Sequence, residues 1–411
     1  MIKKAFDIYV NTRSTNCIQA ADCIIEEING APVRIGFRYR PAYVELKTAF
    51  AIDPGLLPLR SNEIILHCSG GMPGFLDDYL PDSWGKKILT RLAFFRNKQR
   101  LNTNRAIDLL SLMSGRHIGA ICIVSQGEKP IYESGLPIEF LKHTEQIAQQ
   151  VDDFSLEKLP SDELGLLYLA NSGSGVGGAR PKALIKDHQQ EYLAKFNRLG
   201  QDVYNNARIE LACSEMARIA GINISQGKVI EEVNGRDVLL QKRFDIDDKH
   251  RRHIISVNAL LKDPDTQRDH GFHFCYEDIY HLMQKYSVSI QDDAEQLLRI
   301  MLFNRCINNV DDHERNFSFI YNDTGYCFAP AYDLVPITVH GQYHIAGFGS
   351  QPSPPSIRDV ENFGKVFGLS KTRIKHCVDQ LIHALDQWEQ CAEDAGASEK
   401  DTIAVKKFFH S

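Results

Sequence analysis

Asn308-Asn309-Val310-Asp311-Asp312-His313-Glu314-Arg315-Asn316-Phe317-Ser318, followed by Ala329-Pro330-Ala331-Tyr332-Asp333-Leu334, is the stretch on which the reading of this chain turns. Asp311 and Asn316 stand in the D-x-x-x-x-N spacing in which a carboxylate takes a hydroxyl proton during phosphoryl transfer and an amide helps hold magnesium. Asp, Asn and Gly also gather wherever a chain turns, so the spacing alone decides little. The residues that follow add weight. Phe317–Tyr321, the turn Asn322-Asp323-Thr324-Gly325 and Tyr326–Phe328 read as a short β-hairpin that delivers a further acid, Asp333. Hard oxygen donors, several of them anionic, suit Mg²⁺ carrying a nucleotide.

Working backwards, Val203–Ala220 has the periodicity of an amphipathic helix stopped by Gly221. Before it, Ala183–Lys186 and Tyr192–Phe196 read as paired strands, the second carrying Lys195 between apolar neighbours. Glu210 on the helix stands where an acid pairs with a strand lysine that steadies the α- and β-phosphates of a nucleotide. An exposed lysine and an exposed glutamate would look the same in sequence. Ahead of these strands lies Asn171-Ser172-Gly173-Ser174-Gly175-Val176-Gly177-Gly178-Ala179-Arg180-Pro181-Lys182. Glycines there would let backbone N–H groups approach phosphate closely, although a linker has the same composition. Lys228–Val233, Asn234-Gly235 and Val238–Phe244 form a second hairpin. Its outgoing strand makes the backbone of Gln241–Arg243 a candidate edge for an adenine ring.

The N-terminal part reads as mixed α/β. Phe6–Val10, Val33–Tyr39, Tyr43–Ala51 and Ile64–Cys68 are strand-like, and Asp82 or Ser83 caps a helix reaching about Lys98. Ile107–Met113 is a short helix, and Ser114-Gly115-Arg116-His117-Ile118-Gly119-Ala120 turns into the strand Ile121–Val124. Residues 126–160 read as a polar connector bearing one helix, Pro137–Val151. Beyond 244 the chain is mainly helical, with examples at Tyr276–Lys285, Ala294–Asn308 and Ser370–Ala395. The expected domains are therefore 1–125, a connector 126–160, a nucleotide-binding part 161–244 and an all-helical lobe 245–411.

Composition narrows the function classes. A net charge of −6, from 47 basic and 53 acidic side chains, gives no general field for nucleic acid. No apolar run approaches membrane-spanning length, and Met1-Ile2-Lys3-Lys4-Ala5-Phe6-Asp7 meets an acid where a signal peptide would stay apolar. Ten scattered cysteines without a C-x-x-C pair point to buried thiols in a reducing cytoplasm. The histidines near 250–273 carry no zinc spacing.

Glycine-rich loop, strand lysine, helix glutamate, hairpin, Asp311-Asp312-His313-Glu314-Arg315-Asn316-Phe317 and Ala329-Pro330-Ala331-Tyr332-Asp333-Leu334 occur in kinase order. Together they resemble the HipA family of bacterial serine/threonine kinases, the toxins of toxin–antitoxin modules. Leu80-Pro81-Asp82-Ser83-Trp84-Gly85 and Arg116-His117-Ile118-Gly119-Ala120 are similar to that family's N-terminal subdomain, and Gly177-Gly178-Ala179-Arg180-Pro181-Lys182 to its glycine-rich loop.

The resemblance implies an α+β, two-lobed, protein-kinase-like fold using ATP and Mg²⁺. It implies Asp311 as catalytic base, His313 as a buttress of the catalytic loop, and Asn316 and Asp333 as magnesium ligands. It places Lys195, oriented by Glu210, on the nucleotide phosphates and Gln241, Arg243 and Phe244 around the adenine, with Gly177 and Gly178 in the phosphate loop. The family's autophosphorylated loop serine aligns with Gly175 here, so Ser174 and Ser172 are the available hydroxyls. Lys242 replaces an acid common next to the hinge. The implied partners are a helix-turn-helix antitoxin resembling HipB, operator DNA reached mainly through it, and a protein substrate such as an aminoacyl-tRNA synthetase. Two other readings stay open: a kinase of a small molecule or lipid head group, and a catalytically weak partner of a DNA-binding repressor.

Overall fold

Alternating burial dominates residues 1–39 of the computed structural model. The structure describes residues 1–69, 71–98, 101–113, 119–132, 135–153, 166, 169, 180–198, 202–247, 250–264, 273–339, 343–363 and 365–410. β1 (Ile2–Val10), β2 (Ile18–Ile28), β3 (Ala31–Tyr39), β4 (Ile64–His67) and β5 (Ile121–Ser125) build an antiparallel sheet in the order β4-β3-β2-β1-β5. Period-2 side chains put Phe6, Ile8, Val10, Cys23, Ile25, Ile35, Phe37 and Tyr39 out of water. The sequence reading missed β2, whose Asp22, Glu26 and Glu27 break the apolar pattern. Glu27 is nevertheless buried, because its Oε1 accepts the Ile107 N–H at 2.9 Å and so caps the helix Ala106–Leu112.

Tyr43–Ala51 is not a strand. Pro41 starts a single helical turn, Pro41–Val44, as proline does at a first helical position. The Tyr43 hydroxyl then closes the loop by donating to the Phe50 carbonyl at 3.0 Å. The helix Ser83–Asn97 starts where expected, Asp82 Oδ1 accepting the Gly85 N–H at 2.8 Å. A cap of this kind contributes about 1 kcal/mol.

The chain divides into two units. The first comprises Met1–Lys195, Arg243–Gly271 and Ile320–Asp323. Besides the sheet it holds β6 (Leu136–Pro137), β7 (Lys182–Asp187) and β8 (Gln190–Phe196), of which β6 and β7 run parallel and β7 and β8 antiparallel. It also holds the short β11 (Ile246–Asp247), β12 (His250–Arg251) and β13 (Ile254–Ser256). The second comprises Phe196–Lys242, Phe272–Phe319 and Thr324–Ser411. It contains the hairpin of β9 (Gly227–Val233) and β10 (Arg236–Lys242), and the helices Asn206–Ile219, Tyr276–Tyr286, Ile290–Cys306, Lys371–Asp386, Trp388–Asp394 and Glu399–Lys406.

The expected all-helical segment 245–411 is corrected by β11–β13 and by β14 (Ser318–Tyr321) and β15 (Tyr326–Phe328). The compact units also cut across the sequential boundaries expected at 160 and 244. The single helix expected over Ser370–Ala395 is broken at Gln387, whose ψ of 7° leaves the helical range. Both units mix helix and strand, and the fold is α+β. Among the described residues no helix is long and apolar enough to cross a membrane, and all ten cysteines are free, seven of them buried.

Candidate active site

The helix Ile290–Cys306 aims the loop. Asn308 adopts the left-handed conformation (φ +58°) and the Asn309 N–H returns to the Asn304 carbonyl at 2.9 Å. That is a Schellman ending, with asparagine where glycine is commonest. The loop leaves with its register fixed. Asn308 Nδ2 holds the Ile337 carbonyl at 2.6 Å.

The Asp311–Asp312 doublet then splits, because neighbouring side chains on extended backbone point opposite ways. Asp312 is fully buried. One oxygen accepts the Ile345 and Ala346 N–H groups at 2.9 and 3.1 Å; the other takes the Tyr276 hydroxyl at 2.9 Å and His344 Nδ1 at 2.8 Å. Burial, and then the Asp312 charge, push the Tyr276 phenol well above its usual pKa and keep it a donor. Asn304 Nδ2 also donates to that phenol, at 3.1 Å.

Asp311 is the outward member, 58% exposed. The crowded loop beneath still desolvates it enough to raise its pKa, and the charges of Asp333 and Asp312 push the same way against His313. His313 Nδ1 accepts the Arg315 N–H at 3.2 Å, and Nε2 lies 3.9 Å from Asp311 Oδ1. The ring thus braces the loop and faces its acid.

Glu314–Asn316 is one 3-10 turn. It brings Asn316 back so that Nδ2 donates to the Asp311 carbonyl at 2.7 Å. With its nitrogen committed, the amide presents its oxygen. Phe317 locks the turn into the core against Tyr276, centroids 5.6 Å apart and nearly perpendicular. The chain returns through β14 and β15, Ala329 N–H donating to the Ser318 carbonyl at 2.9 Å. Tyr332 bonds the Arg315 carbonyl at 3.0 Å and the Ser318 hydroxyl at 2.6 Å, stapling hairpin to loop. Asp333 follows at φ +55°. A non-glycine residue held there costs of order 1–3 kcal/mol, a strain that collects at functional sites. Asn316 and Asp333 line one small cleft together with Asn304, Asn309 and Asp312.

Among the described residues no group of three or more His, Cys, Asp or Glu stands ready for a metal. The set here is two carboxylates and an amide oxygen. That fits Mg²⁺, which keeps several waters and takes substrate phosphate oxygens instead of an all-protein cage.

The remaining expected residues lie on other elements. Lys195 is half-buried on β8, opposite Lys182 of β7. Glu210 is buried on the helix Asn206–Ile219 of the other unit. Gln241 is buried on β10 opposite Gly227, and Phe244 is half-buried. The Arg243 guanidinium is committed inside its own unit, forking onto Asp245 at 2.9 and 2.6 Å and reaching Glu191 at 3.1 Å. It braces the strand end. Gly177, Gly178, Ser172 and Ser174 lie outside the described residues, as do Arg116 and His117. Asp312, Tyr276, Asn309 and His344 were not singled out from sequence; the Asp doublet was the available signal for the first.

Two family models match the chain. The model described as the HipA-like C-terminal domain matches residues 174–388, and that of the HipA N-terminal domain matches 24–124. The chain belongs to the HipA family. Its fold is that of HipA in the Shewanella oneidensis MR-1 complex of HipA, HipB and operator DNA. That match has a TM-score of 0.66 and 17% identity, and covers 98% of this chain and 94% of that one. The kinase candidate Y4mE of Sinorhizobium fredii is 26% identical over 73% of this chain and 72% of its own length. Toxin YjjJ of Escherichia coli K12 is 23% identical over 65% of this chain and 60% of its own.

Proposed function

We propose that this HipA-family protein is an ATP- and Mg²⁺-dependent serine/threonine protein kinase acting as the toxin of a toxin–antitoxin pair. The observation that carries the reading is the gathering of Asp311, Asn316 and Asp333 on one loop and the hairpin returning from it. Membership of the HipA family and the likeness to Y4mE and YjjJ support it.

Asp311 accepts or orients the proton of the acceptor hydroxyl, its raised pKa making it a stronger base than an ordinary aspartate. Asn316 and Asp333 hold Mg²⁺. Bound MgATP supplies the transferable phosphoryl group and neutralises its developing charge. Lys195, oriented by Glu210, steadies the phosphates, and Gly177 and Gly178 belong to the phosphate loop. Gln241, Arg243 and Phe244 line the adenine, Arg243 through its backbone while its guanidinium braces the strand end. Positioning and electrostatics supply the rate. Ser174 or Ser172 is the self-phosphorylation site. A HipB-like helix-turn-helix antitoxin neutralises the enzyme and carries it to operator DNA, and the target is a cytoplasmic protein such as an aminoacyl-tRNA synthetase.

The test is incubation with labelled ATP and Mg²⁺, with and without cell extract, followed by mapping of the labelled residues. Label on a protein serine or threonine is expected. Label only on small molecules or lipids would replace the acceptor class, and no ATP consumption with any acceptor would leave a binding partner of a repressor. Asp311→Asn should abolish transfer, a loss of roughly 10²–10⁴-fold for one acid–base group, with nucleotide binding kept.

A further inference from the structure

The chain after Asp333 comes back across the catalytic loop, and one amide fixes where it passes. The Ile345 N–H is shared between the Val310 carbonyl at 3.1 Å and Asp312 Oδ1 at 2.9 Å. These are the two neighbours of Asp311 in sequence. Along Tyr343–Ala346 burial alternates as on an extended strand. His344 and Ala346 face inward, and His344 is tied to Asp312 at 2.8 Å. Tyr343 and Ile345 face outward, 77% and 43% exposed. Two large apolar side chains thus stand in water on a segment hydrogen-bonded to the residues on either side of the candidate base.

We propose that Tyr343 and Ile345 form the docking strip for the acceptor protein, selecting a large apolar residue one or two positions from the hydroxyl that is phosphorylated. The assignment rests on the protein-kinase reading above. Geometry sets the offset. Chains bonded side by side run about 5 Å apart, and residues one or two positions from the acceptor lie about 3.5–7 Å from it along an extended segment. An acceptor whose hydroxyl reaches Asp311 therefore lays those neighbours over Ile345 and Tyr343. Nothing small needs such a strip. A soluble metabolite would gain little from two side chains standing clear of the cleft, whereas a peptide covers both and gains the apolar area removed from water.

The strip holds the acceptor equally before and during transfer, so its loss raises KM without changing kcat. The experiment compares wild type, Tyr343→Ser/Ile345→Ser and, as a surface control, Ile403→Ser on a library of serine and threonine peptides randomised around the acceptor. Ile403 is 51% exposed on the separate helix Glu399–Lys406. Wild type and control should favour Leu, Ile, Met or Phe within two positions of the acceptor. The double variant should lose that preference and raise acceptor KM about tenfold, with ATP KM, kcat and unfolding midpoint unchanged. Transfer without apolar selection, or a double variant indistinguishable from wild type, would overturn the docking strip and leave the kinase reading standing. A wild type that phosphorylates no peptide or protein hydroxyl would remove both. A double variant that dissociates a wild-type dimer while acceptor KM stays put would assign the strip to self-association and overturn it equally.

Discussion

The side-chain amide of Asn309 donates to the main-chain carbonyl of Asp333 across 3.2 Å and to Asn304 Oδ1 across 2.9 Å. One buried residue thus spans from the helix that launches the loop to the acid that arrives after the hairpin. Asp333 sits in a left-handed conformation that its backbone would not keep unaided. Asn309 is part of what holds it there.

Removing that span should uncouple the acid from the loop. Asn309→Ala deletes one buried and one partly buried hydrogen bond and should cost about 1–3 kcal/mol of stability. Turnover should fall roughly ten- to a hundredfold, since misplacement by an ångström is enough to do so. Urea unfolding and steady-state transfer measured on one preparation check both numbers. A variant that unfolds earlier yet keeps full turnover would mean Asp333 is held by other contacts.

Asp312 gives a second prediction. It does not reach the reacting atoms, yet it accepts four hydrogen bonds from two segments. Asp312→Ala takes the acceptor from the Ala346 amide, the Tyr276 hydroxyl and the His344 imidazole, and leaves the Ile345 amide to the Val310 carbonyl. Stability should drop by about 3 kcal/mol or more, and transfer should be lost although Asp311, Asn316 and Asp333 are all present. Chemical denaturation and labelled-ATP transfer report on each. Asp311→Asn, at an exposed carboxylate, should lose transfer with little change in stability, so the two neighbours separate chemistry from architecture.

The loop was legible because its chemistry is local in sequence: only four residues separate Asp311 from Asn316, and the turn at Asn322–Gly325 announces the hairpin. What supports it was not. Tyr276 and His344 lie far from Asp312 in the chain, and a lone tyrosine or histidine carries no sign of the carboxylate it will meet. The same limit hid β2, whose Glu27 looks exposed until the helix it caps is in place. Tyr43–Ala51 failed for a different reason: alternation suggested a strand, but Pro41 and the Tyr43 hydroxyl impose a turn that pattern alone does not weigh. The strand end at Arg243 marks a candidate backbone edge, but the ion pairs of its guanidinium with Asp245 and Glu191 carry no sign in sequence.

The Asp82–Lys182 pair offers a third test. Its Nζ–Oδ2 distance is 2.7 Å and both side chains are nearly buried. Burial raises the Asp82 pKa while the Lys182 ammonium and the Gly85 amide oppose it. Asp82→Asn keeps a good helix cap but removes the carboxylate facing the buried ammonium, and should lower stability. Lys182→Met in the same background should recover much of that loss. A double-mutant cycle by urea unfolding should therefore return a coupling energy above about 1 kcal/mol. Simple additivity would mean that solvent reaches the pair.

Acid should destabilise the first unit through His253. Its ring is 2% exposed, donates from Nε2 to the Ile52 carbonyl at 2.8 Å and stacks on Phe50 at 5.3 Å. Burial lowers its pKa from 6.5 to about 4. Between those values the unfolded chain binds a proton that the folded chain refuses. The contribution is whole above pH 6.5, lost progressively down to pH 4, and amounts to about 3 kcal/mol. Asp53 works in the opposite sense: burial raises it to about 6, so its folded form takes up a proton first and its contribution is lost as pH rises from about 4 to 6. The wild-type profile sums the two, and the difference between wild type and His253→Gln isolates the histidine. Glutamine keeps a donor for Ile52 and does not titrate. The wild-type advantage over His253→Gln, measured by urea unfolding, should shrink by about 3 kcal/mol between pH 7 and pH 4. A constant difference across that range would mean that His253 takes its proton in the folded protein as readily as in the unfolded one.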